Sequence, residues 1–440
     1  MAHSALSDAA AGAPHDPSAR AGLRGWYAVA ILTLIYALHS VDRSIMSVLI
    51  EPVKEEFGLD DGQLGFLTGL AYSATYALAA LPLGSLIDRT NRKKLMAALV
   101  ALWSGFTALC GAAQGYWSLV ASRLAVGAAE AGGAPAALSM IGDLVPPRRR
   151  STAIAIFWSS TPIGTAASFI IGSVIAVQWS WRWAFLIAGF PGLVLALLLL
   201  FTVPEPRRGA YEDKSTDDGG IAPSFVETWR HAIRQPVFVH TFLGITLNSM
   251  MLSGVLVWQA AFLIRVHDVS LAQAGLLAGL AAGIFGGIGA LIGGPLGDRA
   301  FAKGGLAALP AVSAATTLLA VASGLVFILA PTLMVAMAGL IVFELVARTY
   351  NGPGYSTIIG SVEPRMRGLS VSSLQIATNL IGYGLGPLVA GLVSDAAGGE
   401  DPLRWGLIAL MAVGVWSSIH YWLAYRAGRR RTSPSERHER

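Results

Sequence analysis

The sequence predicts an all-α membrane protein with twelve transmembrane helices in two pseudo-symmetric six-helix bundles, and three observations carry that expectation. Of the 440 residues 54% are apolar and only 13% charged, against about 45–50% and about 25% in ordinary soluble domains. Apolar stretches of about twenty residues, each long enough at about 1.5 Å per residue to cross a hydrocarbon core of about 30 Å, follow one another from Trp26 to Tyr425. Lys and Arg gather in alternate loops. No water reaches the backbone in the apolar layer, so a crossing segment is a helix or a strand of a closed barrel. These runs lack the period-2 alternation of barrel strands.

In chain order, residues 1–23 are rich in Ala, Ser, Pro and His and lack the basic start, apolar core and cleavage site of a signal peptide. They are expected to form a disordered cytosolic tail. Apolar runs between charged punctuation then place spans at 25–50, 62–87, 94–113, 116–143, 152–176 and 182–203, a first bundle within 24–203. Residues 204–236 are polar, with Pro204, Pro206, Asp217, Asp218, Gly219 and Gly220, and read as a cytosolic linker between halves. Within it Phe225, Trp229 and Ile233 recur every four residues beside Arg230 and Arg234. That stretch is either a short helix on an anionic leaflet or an ordinary amphipathic linker helix. Spans at 237–264, 271–297, 305–329, 332–361, 368–393 and 403–425 build a second bundle over 237–425, and 426–440 is a basic cytosolic tail.

Basic loops stay in the cytosol. Twenty-four Lys and Arg lie on one face, among them Arg20, Arg24, Arg89, Lys94, Arg148 and Arg430, against Lys54, Arg182, Arg265 and Arg404 on the other. Both termini are therefore expected to be cytosolic, as an even number of crossings requires. A pI near 9.4 follows from this topology, and no nucleic-acid partner is expected. Cys110, the single cysteine, lies inside an apolar run and reads as a core residue. One thiol builds neither a disulfide framework nor a thiolate metal site, and no metal or cofactor is expected.

The halves repeat one another weakly. Gly84-Ser85-Leu86-Ile87-Asp88-Arg89 after the second span matches the spacing of Gly294-Pro295-Leu296-Gly297-Asp298-Arg299 after the eighth. The fourth and tenth spans share a glycine-proline break, at Gly133 to Pro135 and at Gly352-Pro353, which sets Arg348 opposite Glu130.

Six charged residues lie deep in the spans: Asp42, Arg43, Arg123, Glu130, Glu344 and Arg348. At roughly 3 kcal/mol each on insertion scales, all six facing lipid would cost about 18 kcal/mol, beyond the about 5–15 kcal/mol that stabilises a typical protein. They face an interior, either as structural pairs between helices or as a proton or substrate pathway. Asp42 and Arg43 diverge by about 100° on one helix, so each needs another partner. An ionised Glu130 in mid-membrane needs a cation, and Arg43 is the expected one. Arg123 and Glu130 share a helical face, and Glu344 with Arg348, four apart, reads as a local bridge.

GSLIDRTNRKK (84–94) resembles the loop between helices 2 and 3 of the major facilitator superfamily, and RLAVGAAEA (123–131) is similar to its fourth-helix motif. VDRSIMSVLIEPVKEEFGLDDGQLG (41–65), AEAGGAPAALSMIGDLVPPRRRSTA (129–153) and Pro162-Ile163-Gly164 resemble bacterial members of the Spinster family, and the likeness spans most of the chain. The anion:cation symporters share Asp-Arg in helix 1 and Glu in helix 4, so that triad does not separate the two families. The second-half loop motif is degraded, with Ala300, Phe301 and Ala302 before Lys303.

The resemblance implies the major facilitator fold and a secondary transporter rather than an enzyme, in a bacterial inner membrane. It implies alternating access around a cavity lined by helices 1, 4, 7 and 10, with proton coupling through Asp42, Arg43 and Glu130. Candidates for the cavity wall are Tyr36, His39, Tyr72, Tyr76, Trp158, Asn248, Trp258, Gln259, Arg348, Tyr350, Asn351, Tyr355, Gln375, Asn379 and Tyr383. His39, one turn before Asp42, is a candidate to share its proton. A latch between halves in the outward-facing state is implied at Gly84, Asp88, Arg89, Arg92, Arg123 and Asp143. Asp88 can accept backbone N–H groups at the start of helix 11 near Gly368, where the dipole favours an anion, and Arg92 can bridge to Asp143.

Eukaryotic Spinster relatives handle lysolipid-like amphiphiles, which implies an amphiphilic lysolipid or sphingoid-like substrate. The alternative is proton symport of a small organic anion held by Arg43 and Arg348. Partners are then this substrate, protons and membrane lipids, for a chain expected to act as a monomer. No Gly-rich nucleotide loop with Lys-Ser/Thr, no His-Glu-x-x-His and no Gly-x-Ser-x-Gly is present, so ATP-driven pumping by this chain is not expected.

Overall fold

The structure is a computed structural model and describes residues 22–211 and 224–431. The expected tails, apart from 22–23 and 426–431, and linker residues Asp217 to Gly220 lie outside the described residues. Among the described residues twelve helices are long and apolar enough to cross a membrane: α1 Leu23–Val48, α2 Asp61–Arg89, α3 Arg92–Gly111, α4 Tyr116–Leu144, α5 Pro147–Gln178, α6 Trp181–Thr202, α7 Pro236–His267, α8 Leu271–Gly304, α9 Leu306–Leu329, α10 Leu333–Gly360, α11 Pro364–Ala397 and α12 Leu403–Arg430. Each expected span is found. Several run past the apolar stretch, as where α5 starts at Pro147 and α8 ends at Gly304, because a terminal turn beyond the apolar layer can carry Arg149, Arg299 or Lys303. A short helix, Ile50–Phe57, follows α1, and the linker holds the helix Phe225–Ile233.

Local chemistry sets these ends. Pro147 and Pro236 open α5 and α7, where the missing N–H costs nothing. The corresponding helices α2 and α8 both begin with reciprocal caps, Asp60 with Gln63 and Ser270 with Gln273. α4 breaks between Glu130 and Gly133, and α10 between Ala347 and Asn351. The interruptions fall before Pro135 and Pro353 because a proline leaves the carbonyl four residues upstream without its donor. Glu130 and Arg348 thus sit at matching breaks.

An even number of crossings puts the described ends on one side, here the terminal side; the opposite is the far side. The halves, α1–α6 and α7–α12, touch on the far side along α2 with α11 and α5 with α8. A Cβ at Gly69 would strike the Gly384 carbonyl, and one at Gly275 would strike Ser173 and Phe169; small residues let helix backbones approach this closely. Toward the terminal side the pairs separate. A Cβ added at Gly84 of α2 or Gly368 of α11 would meet no other helix within 4 Å, and Leu78 and Leu81 are 76% and 69% exposed. The two halves form a V, closed at the far side.

Candidate functional site

In the crotch of the V lies a cavity with about 700 Å³ of empty space, lined by Tyr36, His39, Ser40, Arg43, Ser44 and Ser47 of α1, Thr68, Tyr72 and Ser73 of α2, Thr161 and Thr165 of α5, Ser253, Leu256 and Val257 of α7, Arg348 of α10 and Tyr383 of α11. Eleven lining side chains carry a hydroxyl, eight of them Ser or Thr and three Tyr, and only two are aliphatic. Of the expected wall, α1, α7 and α10 contribute, but none of these lining residues comes from α4. His39 and Tyr72 stand between the cavity and Glu130 of α4, which has no exposed surface.

Four of the six buried charges gather around Tyr72. The Tyr72 hydroxyl donates to Glu130 Oε2 at 2.5 Å, and His39 Nε2 lies 3.3 Å from the same oxygen. Arg43, the cation expected from the sequence for an ionised Glu130, does not pair with it directly. Its guanidinium sits 5.4 Å from the Tyr72 ring centre and 4.2 Å from that of Tyr383, and donates to Asn379 Oδ1 at 3.2 Å. The correction has a steric cause, since Tyr72 fills the space where a direct pair would form. Arg43 therefore reaches from the first half to the second. Asn379 and Tyr383 both lie in a widened turn of α11, Thr378–Tyr383, an irregularity frequent at functional sites. The Arg123 guanidinium also lies over the Tyr72 ring, at 5.3 Å from its centre, and donates to the Asp42 backbone carbonyl at 3.0 Å. Asp42 is buried, and its Oδ1 has no hydrogen-bond partner among the described residues. Arg348 pairs with Glu344 at 3.1 Å, the local bridge expected of residues four apart.

Other candidates fall elsewhere. Asn248 is consumed in packing, donating to the Ala347 carbonyl and accepting from Thr317. Trp258 donates to the Pro387 carbonyl at 2.9 Å; it stands about 100° around α7 from Val257, which turns it off the lining face. Gln259 is fully buried. Tyr350 is buried with its hydroxyl 3.3 Å from Ser249, and Asn351 opens the second segment of α10. Tyr355 and Gln375 are not among the lining residues. Tyr76 packs on Tyr72 at 5.8 Å, and half-exposed Trp158 meets Tyr36 edge-on at 5.4 Å.

The latch residues also divide. Arg92 pairs with Asp143 at 2.5 Å and with Glu205 at 3.1 Å, but Arg92 and Asp143 belong to the first half and Glu205 to the start of the linker that leaves it, so this contact braces one bundle rather than joining two. Arg123 lies in the buried network, because Asp88 is sixteen residues past Tyr72 along α2, about 24 Å away. Asp88 and Arg89 stand with Gly84 on the open terminal side, where α2 has left α11. The contact between halves that does form involves residues the sequence left unassigned. Asp61, at the start of α2, accepts from Arg265 of α7 at 2.7 and 3.0 Å and from Ser394 of α11 at 2.7 Å. Asp395 of α11 in turn accepts the backbone N–H groups of Asp61 and Gly62 at 2.9 and 2.6 Å. One signal for this was present: Arg265 is among only four basic residues on that face, and each of these has an acidic partner.

The Major Facilitator Superfamily profile matches residues 32–347. An MFS-type efflux pump of Mycolicibacterium smegmatis is 31% identical over 415 residues, 92% of this chain and 94% of that protein. Human protein spinster homolog 1 is 32% identical over 248 residues, 55% of this chain but only 46% of that protein. Among solved structures, a bacterial homolog to the human lysosomal transporter Spinster, in an inward-facing and unoccupied conformation, superposes with a TM-score of 0.84 at 27% identity, covering 93% of this chain and 98% of that one.

Proposed function

The chain belongs to the major facilitator superfamily, a family of membrane transporters, and from that premise we propose that it is a proton-coupled, Spinster-like carrier working by alternating access on an anionic amphiphile of the lysolipid or sphingoid-phosphate kind. One observation carries this reading. Arg43 is a cation in a polar cavity with no carboxylate in contact among the described residues, and it links the Glu130–Tyr72 pair of one half to Asn379 and Tyr383 of the other. Arg348, by contrast, is already neutralised by Glu344. A ligand can shift a conformational equilibrium only through contacts that differ between states. A negative Glu130 draws Arg43 back toward Tyr72. A neutral Glu130 releases it to the second half and to a substrate anion.

The amphiphile is supported by the arrangement of the wall, with hydroxyls and arginines in the chamber and the half-exposed Trp158 beside Tyr36 as a surface for an apolar tail. The shortage of aliphatic lining favours the second reading, symport of a small organic anion. A thermal-shift screen of purified protein against lysophospholipids, sphingoid phosphates and small organic acids separates the two, and stabilisation by the acids alone would remove the first. Coupling is tested in proteoliposomes: Glu130→Gln should keep substrate exchange and lose accumulation driven by a pH gradient. Accumulation at the wild-type rate would end the coupling reading. The 24-to-4 asymmetry of Lys and Arg supports a cytosolic terminal side and thus an inward-facing state. Labelling of a terminal cysteine from outside intact cells by an impermeant reagent would reverse that orientation.

A further inference from the structure

Glu130 has no exposed surface and does not line the cavity, whereas His39 and Tyr72, which both touch it, do. Any proton travelling between the cavity and Glu130 must cross that layer of two side chains. We infer that His39 is the relay that carries it, and that Tyr72 holds the carboxylate in place; the inference rests on the proton-coupling reading above and adds the route.

Three observations select His39. Imidazole exchanges protons at either ring nitrogen near neutral pH, where a phenol does not. Neither ring nitrogen of His39 has a hydrogen-bond partner among the described residues, and Nε2 is 3.3 Å from Glu130 Oε2, within the range that closes to a full hydrogen bond on a small movement. A buried imidazole held only for packing would satisfy its polar atoms, and this one leaves both nitrogens unsatisfied in a residue that lines the cavity. Finally, the ring plane is fixed by a parallel stack on Tyr36, with centroids 4.6 Å apart and planes 9° apart, and by the edge of Trp103 at 6.3 Å. The remaining ionisable groups facing this spot are Asp42, Arg43, Arg123 and the hydroxyls of Tyr36 and Tyr72. Two of them are arginines, and these disfavour a lasting positive charge on His39.

A relay without a standing charge meets that condition. A proton from cavity water binds Nδ1 as the Nε2 proton passes to Glu130 Oε2; one N–H bond forms, another breaks, and the imidazole stays neutral in its other tautomer. Release runs the same steps backward and restores the first tautomer, so a cycle of loading and unloading resets the ring.

The test reads Glu130 itself and needs no substrate. In purified protein, a stopped-flow pH jump is followed by infrared spectroscopy at the protonated carboxyl band, assigned to Glu130 by its loss in Glu130→Gln. Gln at position 39 keeps the size and one donor but cannot pass a proton, so His39→Gln should slow the appearance of the band on the order of tenfold or more while reaching the same final amplitude. His39→Ala should be equally slow and should recover in added imidazole, which a purely structural role would not allow. A rate for His39→Gln within about twofold of wild type would overturn the relay and leave the coupling reading intact. A wild-type protein in which no Glu130 band titrates would overturn both.

Discussion

Replacing Asp61 with Asn tests whether the far-side contact holds the conformation seen here. The Asp61 carboxylate is only 2% exposed and receives two bonds from Arg265 and one from Ser394 across the halves, besides Lys54 at 2.5 Å within its own half. Hydrogen bonds to a charged group contribute about 1.5–3 kcal/mol each, and a bidentate guanidinium adds geometric selectivity. Asn keeps one acceptor oxygen, so part of the contact survives. Arg265 is 19% exposed, and solvent screening takes the loss toward the lower end, about 2 kcal/mol. At about 1.4 kcal/mol per tenfold, the ratio of far-closed to far-open molecules should fall about 30-fold. Spin labels at exposed Trp179 and Glu400, which lie at far-side helix ends of opposite halves, report it by pulsed dipolar spectroscopy, with buried Cys110 replaced by Ala. A second population at longer distance should appear in Asp61→Asn and grow when Asp395→Asn also removes the cap on α2. Unchanged distance distributions in both would refute the assignment of this contact as a latch.

Two further outcomes follow from the terminal side. Arg92 is 1% exposed and holds Asp143, Glu205 and the Pro206 carbonyl. Arg92→Gln strands two partly buried carboxylates and should destabilise the first bundle by about 2–3 kcal/mol, below the range for fully buried pairs because the partners retain some solvent; an unshifted thermal unfolding midpoint in detergent would contradict the brace. Asp88→Asn should leave the structure described here intact, since Asp88 stands on the open side, and should lower the population in which α2 and α11 meet there. Labels at Arg149 and Arg365 showing an unchanged or larger population of short distances would remove Asp88 from the latch.

The twelve spans, the division into halves and the helix breaks were legible in the chain because each depends on neighbours in sequence: about twenty apolar residues make a crossing, and a proline breaks the ladder just upstream of itself. The Glu344–Arg348 bridge was legible for the same reason, both partners lying on one face of one helix. Partners on different helices were not. Asp42, Arg43 and Glu130 could be recognised as interior charges from their cost in lipid, but spacing along α1 and α4 does not say how far each helix is rotated or what stands between them. Packing decided that Tyr72 and His39 meet Glu130, that Arg43 turns to α11, and that Asn248 and Trp258 spend their polar atoms inside the second bundle. The choice between the two ends of α2, Asp61 engaged and Asp88 free, belongs to the tertiary structure alone, because one sequence supplies contacts for both ends and only the relative tilt of the halves determines which are made.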